Sequence, residues 1–197
     1  KKLVGQDLIV VTVNYRLGAL GFLVSNPDGL SGNFGLMDQR AALDWISNNI
    51  KLFGGDPNQV TLFGESAGAT MISLHLMMEG AGKLFQKAIM QSNPLGYTFR
   101  TSYVASMLGE AYKDSLDCRD LACLRSEPIE ELMKAQDGIM GIPRSAGDFF
   151  TWAPTLTKNF DRTYGLPIRG IRIPSQQHVF QNGQSPNEEQ LKWAMVN

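Results

Sequence analysis

The sequence predicts an α/β fold in which a mostly parallel sheet carries helices on both faces. Three apolar stretches predict its strands: Asp7 to Tyr15, Val60 to Gly64 and Lys87 to Ser92. The first two are continuous apolar runs, as expected of strands buried on both faces of a sheet. Between the stretches lie segments with helical spacing of apolar residues, and this alternation of strand and helix is typical of parallel sheets.

The first predicted strand, "DLIVVTVNY", follows two lysines and could be mistaken for a signal peptide. Gln6 and Asp7 interrupt the apolar stretch and no small-residue cleavage site follows, so we interpret it as a strand. The segment from Gly18 to Gly35 is rich in Gly, Asn, Pro and Asp, which predicts a long loop.

The first long helix is predicted in "LMDQRAALDWISNNIKLFG", ended by Gly54 and Gly55. Its predicted apolar face comprises Leu36, Ala41, Leu43, Trp45 and Ile46. A turn in "DPNQ" leads into the strand from Val60 to Gly64, and "AGATMISLHLMM" predicts the next helix.

Beyond Gly96 the pattern becomes mainly helical. "RTSYVASMLGEAYKDSL" and "EPIEELMKAQ" predict two helices, the second with Pro128 near its first turn. From about Met140 the pattern weakens, leaving one short strand at Ile168 to Ile173 and a helical turn or two in "NEEQLKWAMV". We therefore divide the chain into an incomplete domain over residues 1–139, which contains the Gly-x-Ser-x-Gly motif, and a weakly patterned tail over residues 140–197.

Composition narrows the class of protein. The 197 residues are 43% hydrophobic and 19% charged, as in a globular protein. A formal net charge of -1 argues against nucleic acid or an anionic membrane as partner. No run reaches the ~18 apolar residues of a membrane span. The chain starts with Lys rather than Met, so we expect it to be part of a longer protein.

Two cysteines, Cys118 and Cys123, are separated by four residues. Two ligands are too few for a structural zinc site, so no metal is predicted. The pair could close a small disulfide loop in an oxidising compartment or remain as two reduced thiols near a helix, and its spacing leaves both readings open.

The motif Gly64-Glu65-Ser66-Ala67-Gly68 lies between a predicted strand and a predicted helix. Gly-x-Ser-x-Gly in this context is the nucleophile elbow, a strained turn that presents a serine hydroxyl above a sheet. Close backbone approach predicts that neither Gly64 nor Gly68 can carry a side chain. The alternative is a tight turn whose serine merely caps the helix.

At this point the sequence resembles a known family. "VTVNYRLGALGFL", "GNFGLMDQRAALDWISNNIKLFGGDPNQVTLFGESAGA" and "KLFQKAIMQSNP" closely resemble the type-B carboxylesterases, the cholinesterase-like branch of the α/β-hydrolases. The resemblance covers roughly Leu8 to Gln136, and "FTWAPTL" is a weaker match to the family's next segment. It implies a partial α/β-hydrolase fold.

The resemblance implies roles for individual residues. Ser66 matches the nucleophile, Ala67 an oxyanion-hole backbone donor, and Glu65 an acidic position beside the nucleophile. Arg16 and Asp38 match a structural ion pair, which a cation at the end of a buried strand would also require. Cys123 matches a cysteine of the family whose usual partner lies further upstream than Cys118, so the resemblance leaves the disulfide undecided.

Neither histidine of the sequence matches the motif that carries the general base in the family. His75 follows Ser66 by nine residues on one predicted helix, about 13 Å along the axis and too far to take its proton. His178, with Asp148 or Asp161, has the chain order of a compact triad, but "QQHVFQ" does not match the family's histidine motif. We expect His178 to be a loop histidine, and we expect the family's upstream oxyanion glycines to lie outside this chain.

The resemblance therefore implies a serine carboxylic-ester hydrolase, or a piece of one, that forms an acyl-Ser66 intermediate on a small-molecule ester. No cofactor, no nucleic-acid partner and no transmembrane segment are expected, and the chain alone is expected to be inactive. The alternative is a non-catalytic, cholinesterase-like binding or adhesion protein. The resemblance favours a secreted protein or one of the secretory pathway.

Overall fold

The computed structural model of the chain describes residues 2–78, 81–93, 100–140 and 151–156. The helices are α1 (Gly18–Phe22), α2 (Phe34–Asn49), α3 (Ala67–Met77), α4 (Ser102–Asp114), α5 (Leu121–Ser126) and α6 (Ile129–Met140). The strands are β1 (Val24–Ser25), β2 (Leu30–Ser31), β3 (Thr61–Glu65), β4 (Lys87–Gln91), β5 (Arg100–Thr101) and β6 (Thr155–Leu156). Short 3₁₀ turns cover Val4–Gln6, Ile50–Phe53 and Ala81–Lys83.

The described residues fall into two compact units. One draws its residues from the ranges 1–42 and 97–160, and the other from the range 43–96. The first unit contains the antiparallel pair β1–β2 and the parallel pair β5–β6, whereas the second contains the parallel pair β3–β4.

The second unit is a strand–helix–strand arrangement. Strands β3 and β4 run parallel in register from Thr61 opposite Lys87 to Glu65 opposite Gln91, and α3 connects them and packs on both. Leu43, Leu84 and Phe85 form a small buried cluster at one end. The predicted strands at Val60 to Gly64 and Lys87 to Ser92 and the helix between them are thus confirmed.

One face of this pair of strands is more exposed than the sequence predicted. Side chains alternate between half-buried and exposed along both strands, and Phe63 is 63% exposed. The apolar composition of a strand reports the environment that it suits, whereas its burial depends on what packs against each face.

The predicted strand from Asp7 to Tyr15 is wrong for this structure. Residues 8–17 have no regular secondary structure, and the side chains of Leu8, Ile9, Val10, Val11 and Val13 are 37–52% exposed. A strand needs a neighbour that accepts and donates its backbone hydrogen bonds, and no sheet among the described residues includes this segment. Two of the three strands expected between residues 8 and 92 are therefore present.

Helix α2 has the predicted position but a narrower apolar face. Leu36, Leu43 and Ile46 are buried, whereas Trp45 and Ala41 are exposed. At 100° per residue, Trp45 and Ala41 lie on the side of the helix opposite Leu36. Gly54 ends the following 3₁₀ turn with a φ of 83°, as the predicted glycine stop requires.

The segment from Gly18 to Gly35, predicted as a long loop, contains α1 and the hairpin β1–β2. Val24 and Ser25 are fully buried because α4 packs directly on β1. Gly109 permits this approach, since a Cβ atom there would overlap the carbonyl oxygen of Val24. Within the segment itself, a Cβ atom on Gly21 or Gly35 would overlap the Arg16 carbonyl oxygen, so its glycines reflect close packing of backbones as well as turns.

Distant residues hold the first unit together. Its core comprises Ala19, Leu23, Tyr112, Cys118, Leu124 and Ile139. Asn33, buried and with a φ of 63°, donates from Nδ2 to the Thr155 carbonyl at 2.9 Å and accepts from the Thr155 N–H at 2.8 Å. This pair of hydrogen bonds ties residues 122 positions apart in sequence, and a left-handed conformation suits asparagine.

The predicted ion pair between Arg16 and Asp38 is present. The Arg16 guanidinium donates from Nε and Nη2 to the two carboxylate oxygens of Asp38, each at 2.7 Å, and its backbone N–H donates to the same group at 3.0 Å. These hydrogen bonds hold the pKa of Asp38 below its usual value. Arg16 also lies over the ring of Phe34.

Cys118 and Cys123 form a disulfide, which resolves the alternative that the sequence left open. Beside it lies a buried network that sequence analysis did not find. The Lys113 ammonium contacts Asp28 at 2.6 Å and Glu110 at 2.9 Å, and it is only 2% exposed. Backbone groups of the disulfide loop complete the network, since the Arg119 carbonyl accepts from Lys113 and the Leu121 N–H donates to Asp28.

Several predictions fall outside the described residues: the strand at Ile168 to Ile173, the helical turns in "NEEQLKWAMV", and any role of Asp148, Asp161 or His178. Among the helices that the structure describes, none combines the length and apolar character needed to cross a bilayer.

Candidate active site

The candidate site lies where β3 ends and α3 begins. Ser66 is the residue between them, with φ 51° and ψ −113°, and it is half-buried. A positive φ is rare for a residue with a side chain and marks local backbone strain. The strained serine that the Gly-x-Ser-x-Gly motif predicts is therefore present.

Gly64 makes the tight turn possible. A Cβ atom on Gly64 would lie 2.7 Å from the carbonyl carbon of Gly68 and 2.9 Å from Cδ1 of Ile72. The prediction that neither glycine can carry a side chain holds for Gly64 but is wrong for Gly68. A Cβ atom on Gly68 would meet nothing within 4 Å outside its own helix. The atoms of Gly68 that lie close to Gly64 belong to its backbone, so a side chain on Gly68 would not enter the contact.

Both backbone polar groups of Ser66 form hydrogen bonds, whereas its hydroxyl does not cap α3. The Ser66 N–H donates to the Gln91 carbonyl at 2.9 Å, which fixes the turn to the end of β4. The Ser66 carbonyl accepts from Thr70 N–H at 3.0 Å and so begins α3. The side chain makes no capping hydrogen bond, and the alternative of a merely capping serine is therefore wrong.

Ala67 and Glu65 flank the serine. Ala67 is the first residue of α3 and is exposed, so its N–H belongs to the helix end that has no intrahelical acceptor. The positive end of the helix dipole lies at the same place, which favours a developing negative charge. Glu65 is the last residue of β3, opposite Gln91, and is exposed.

A second set of polar residues supports the turn and was missed from the sequence. Asn93 follows β4 and donates from Nδ2 to Ser73 Oγ at 2.7 Å, while Ser73 Oγ donates to the Ala69 carbonyl at 3.2 Å. Ser73 is buried, and its hydroxyl also lies 3.3 Å from Met90 Sδ. These bonds join α3 to the chain leaving β4. The sequence signal that could have revealed this set of bonds is Ser73, a polar residue on the buried face of α3.

His75 is a core residue of α3, only 2% exposed and two turns beyond Ser66. This agrees with the prediction that it is not the base for Ser66. It is the one histidine within the described ranges, since His178 lies beyond them, so the prediction for His178 stays open.

Comparison with known proteins gives a consistent result. A sequence profile described as "Carboxylesterase family" matches residues 1–190. The chain is 42% identical over 159 residues to "Crystal protein" of Dictyostelium discoideum and 39% identical over 170 residues to "Cholinesterase" of Mus musculus. These alignments cover 79% and 76% of the chain but only 28% of each relative.

The solved structure of a thermophilic PNB esterase has a TM-score of 0.70 and 39% identity, covering 77% of this chain and 32% of that one. The likeness confirms the predicted α/β class and its identification as a partial α/β-hydrolase fold. The chain spans less than a third of the length of these relatives.

Proposed function

The chain belongs to the carboxylesterase family, and from this premise we propose that Ser66 is the nucleophile of a serine carboxylic-ester hydrolase. The observation that carries the proposal is the conformation of Ser66, which has a positive φ, follows a parallel strand and makes no capping hydrogen bond. The turn stores strain and leaves the hydroxyl available at a helix N-terminus, as a nucleophile elbow requires.

The proposed reaction has two halves. Ser66 Oγ attacks the carbonyl carbon of a small-molecule ester while a general base removes the hydroxyl proton. The oxyanion of the tetrahedral intermediate accepts a hydrogen bond from the Ala67 N–H, and its collapse expels the alcohol, which takes up the proton that the base removed from Ser66. Water then attacks the acyl-Ser66 ester and gives one proton to the base, which passes it to Ser66 Oγ as the acid is released. No cofactor enters this sequence.

The base is the part that the described residues do not provide. His75 is buried two turns along α3 from Ser66, and a base must lie within about 3 Å of the proton that it removes. We propose that the complete protein supplies the acid, the histidine and a second oxyanion donor. In this proposal the 197-residue chain alone has little activity.

A second candidate is a non-catalytic binding or adhesion role. It is supported by one relative, the "Crystal protein" of Dictyostelium discoideum, whose name refers to no enzyme activity. This candidate predicts that Ser66 stays unreactive in every form of the protein, whereas the esterase proposal predicts a reactive serine once the base is present.

Labelling with a fluorophosphonate probe tests the proposal. We expect covalent modification at Ser66 in a longer protein that contains the acid and the histidine, mapped by peptide mass spectrometry, and no labelling after Ser66→Ala. The matched control is Ser115→Ala, which removes an exposed serine at the C-terminal end of α4 that we do not assign to the chemistry. Absence of label at Ser66 in a folded longer protein would reject the nucleophile and favour the binding role.

A further inference from the structure

The chain that leaves β4 is attached to the candidate active site at two points. The Gln91 carbonyl accepts from the Ser66 N–H at 2.9 Å, and two residues later Asn93 donates from Nδ2 to Ser73 Oγ at 2.7 Å. Given the proposed role of Ser66 as the nucleophile, on which this inference rests, we propose that Asn93 is a positioning residue for Ser66. Its bond to Ser73 keeps the Gln91 carbonyl against the Ser66 N–H.

The residue between these two attachments is strained. Ser92 is exposed and has a φ of 51°. A positive φ is unfavourable for a residue with a side chain and persists only where the surroundings impose it. Each attachment holds one side of Ser92, so the loss of either one lets Ser92 return to an ordinary conformation. The Gln91 carbonyl belongs to the peptide group that this rotation turns, and it would therefore leave the Ser66 N–H.

Ser73 is a firm anchor for Asn93. It is only 5% exposed, and its hydroxyl donates to the Ala69 carbonyl at 3.2 Å, which leaves the oxygen free to accept from Asn93. Helix α3 joins Ser73 to Ser66 over seven residues, about 10.5 Å along the axis, and packs on both β3 and β4. The anchor and the nucleophile therefore belong to one rigid element.

The surroundings of Asn93 argue against a role in stability alone. Its Oδ1 is buried and has no hydrogen-bond partner among the residues that the structure describes. Its Nδ2 has a second contact with Met90 Sδ at 3.5 Å, and a thioether sulfur is a weak acceptor. A buried amide that is only partly paired is unfavourable, so an apolar side chain of similar size would suit the stability of this position at least as well. The bond to Ser73 contributes direction.

The expected consequence is a change in rate. The bond from Ser66 to the Gln91 carbonyl holds the strained turn, which aligns the Ser66 hydroxyl with the Ala67 N–H. Rates fall steeply when reacting groups lose alignment, and a displacement of about 1 Å can reduce the rate by about 10²-fold. Asn93 acts through Gln91 and does not touch the substrate in this proposal. Its loss should therefore lower kcat and leave KM nearly unchanged.

Amide hydrogen exchange in the 197-residue chain tests the structural half of the inference. We expect Asn93→Leu to make the Ser66 N–H exchange at least ~10-fold faster, because its bond to the Gln91 carbonyl opens more often. Amides in the middle of α3 should keep their rates. The matched control is Asn49→Ala, which removes an asparagine Nδ2 bond to the Trp45 carbonyl and should leave the Ser66 N–H unchanged. Unchanged exchange of the Ser66 N–H in Asn93→Leu would overturn the proposal.

Fluorophosphonate labelling of a longer protein that contains the acid and the histidine tests the functional half. A loss of folded protein lowers the final extent of labelling, whereas a misplaced nucleophile lowers the rate constant. We expect Asn93→Leu to be labelled at Ser66 to the same final extent as the parent but about 10–100-fold more slowly. Asn49→Ala should be labelled at the parent rate. A lower final extent with an unchanged rate constant would assign Asn93 to stability and overturn the positioning role.

Ser73→Ala tests the same bond from its other side. Both single variants remove one interaction, so the double variant of Asn93→Leu with Ser73→Ala should be labelled no more slowly than the slower single variant. If Asn93→Leu does not fold, Ser73→Ala, which removes a single oxygen atom, still decides. A labelled parent whose rate neither variant changes would overturn the positioning role alone. No labelling of the folded longer parent would reject the nucleophile and the positioning role with it.

Discussion

Gly64 and Gly68 approach each other so closely that a Cβ atom added to Gly64 would lie 2.7 Å from the carbonyl carbon of Gly68. The same addition to Gly68 meets nothing within 4 Å outside its own helix. The two glycines of the motif are therefore unequal: the first permits the close approach of strand and helix, and the second provides the backbone that is approached.

This asymmetry predicts opposite effects of two alanine substitutions. Gly64→Ala forces the β3–α3 turn apart and should reduce the free energy of unfolding by about 1–3 kcal/mol, the usual cost of overpacking. Gly68→Ala places a better helix former in α3 and should be neutral or stabilising by up to ~1 kcal/mol. Urea unfolding of both variants checks this, and equal destabilisation by the two substitutions would contradict it.

The Arg16–Asp38 pair predicts an acid-dependent contribution to stability. Asp38→Asn should destabilise by about 1 kcal/mol or less, because the Arg16 side chain is half exposed and solvent screens the pair. Hydrogen bonds from Arg16 lower the pKa of Asp38 below 3.8, so the contribution is complete above that pH. It is lost as the pH falls through the lowered pKa.

Melting temperatures of the parent and of Asp38→Asn between pH 7 and pH 3 provide the measurement. The difference between the two proteins should stay constant near neutral pH and shrink at the acid end. Arg16→Gln serves as the matched partner variant, since it should remove most of the effect of Asp38→Asn in the double variant. A difference that grows on acidification would refute the assignment.

Lys113 predicts a larger effect because it is buried. Lys113→Met removes the cation between Asp28 and Glu110 and should cost about 3–5 kcal/mol, since Asp28 then stays buried without its counter-charge. The double variant Lys113→Met with Asp28→Asn should recover part of that loss. If the single and double variants are equally unstable, the cost lies in packing and not in the orphaned charge.

The pH dependence of this network has two sides. The hydrogen bond from Lys113 lowers the pKa of Asp28 below 3.8, so its contribution is lost as the pH falls through that lowered value. Burial lowers the pKa of Lys113, but its bonds to Asp28 and Glu110 outweigh this and raise it above 10.5. The contribution of Lys113 is therefore complete below 10.5 and is lost as the pH rises through the raised value. The stability of the parent should therefore exceed that of Lys113→Met by the largest margin at pH values between the lowered pKa of Asp28 and the raised pKa of Lys113.

The proposed chemistry predicts the activity of the chain by itself. The loss of one oxyanion donor typically reduces the rate by about 10²–10³, and loss of the base reduces it further. We expect little hydrolysis of a p-nitrophenyl ester by the 197-residue chain and clear turnover by a longer protein that contains the acid and histidine. Ser66→Ala should abolish that turnover. If the short and the long protein hydrolyse the ester at equal rates, the short chain contains a base close to Ser66 that we have not identified.

Local patterns in the sequence were sufficient for the elements around Ser66. The apolar run before Gly64, the helical spacing after it and the glycine at position 64 each act over a few residues, so β3, the strained turn and α3 follow from neighbouring residues. The resemblance added the Arg16–Asp38 pair, whose members lie 22 positions apart and show no shared local pattern.

Tertiary structure decided the features that depend on which distant residues meet. The composition of Asp7 to Tyr15 predicted a strand, but a strand forms only beside a partner, and no described sheet includes this segment. The burial of Lys113 against Asp28 and the bond from Asn93 to Ser73 arise from contacts between separate elements. Sequence periodicity indicates which face of a helix or strand is apolar. Which residues that face contacts, and which counter-charge a buried charged residue meets, depends on how distant parts of the chain pack together.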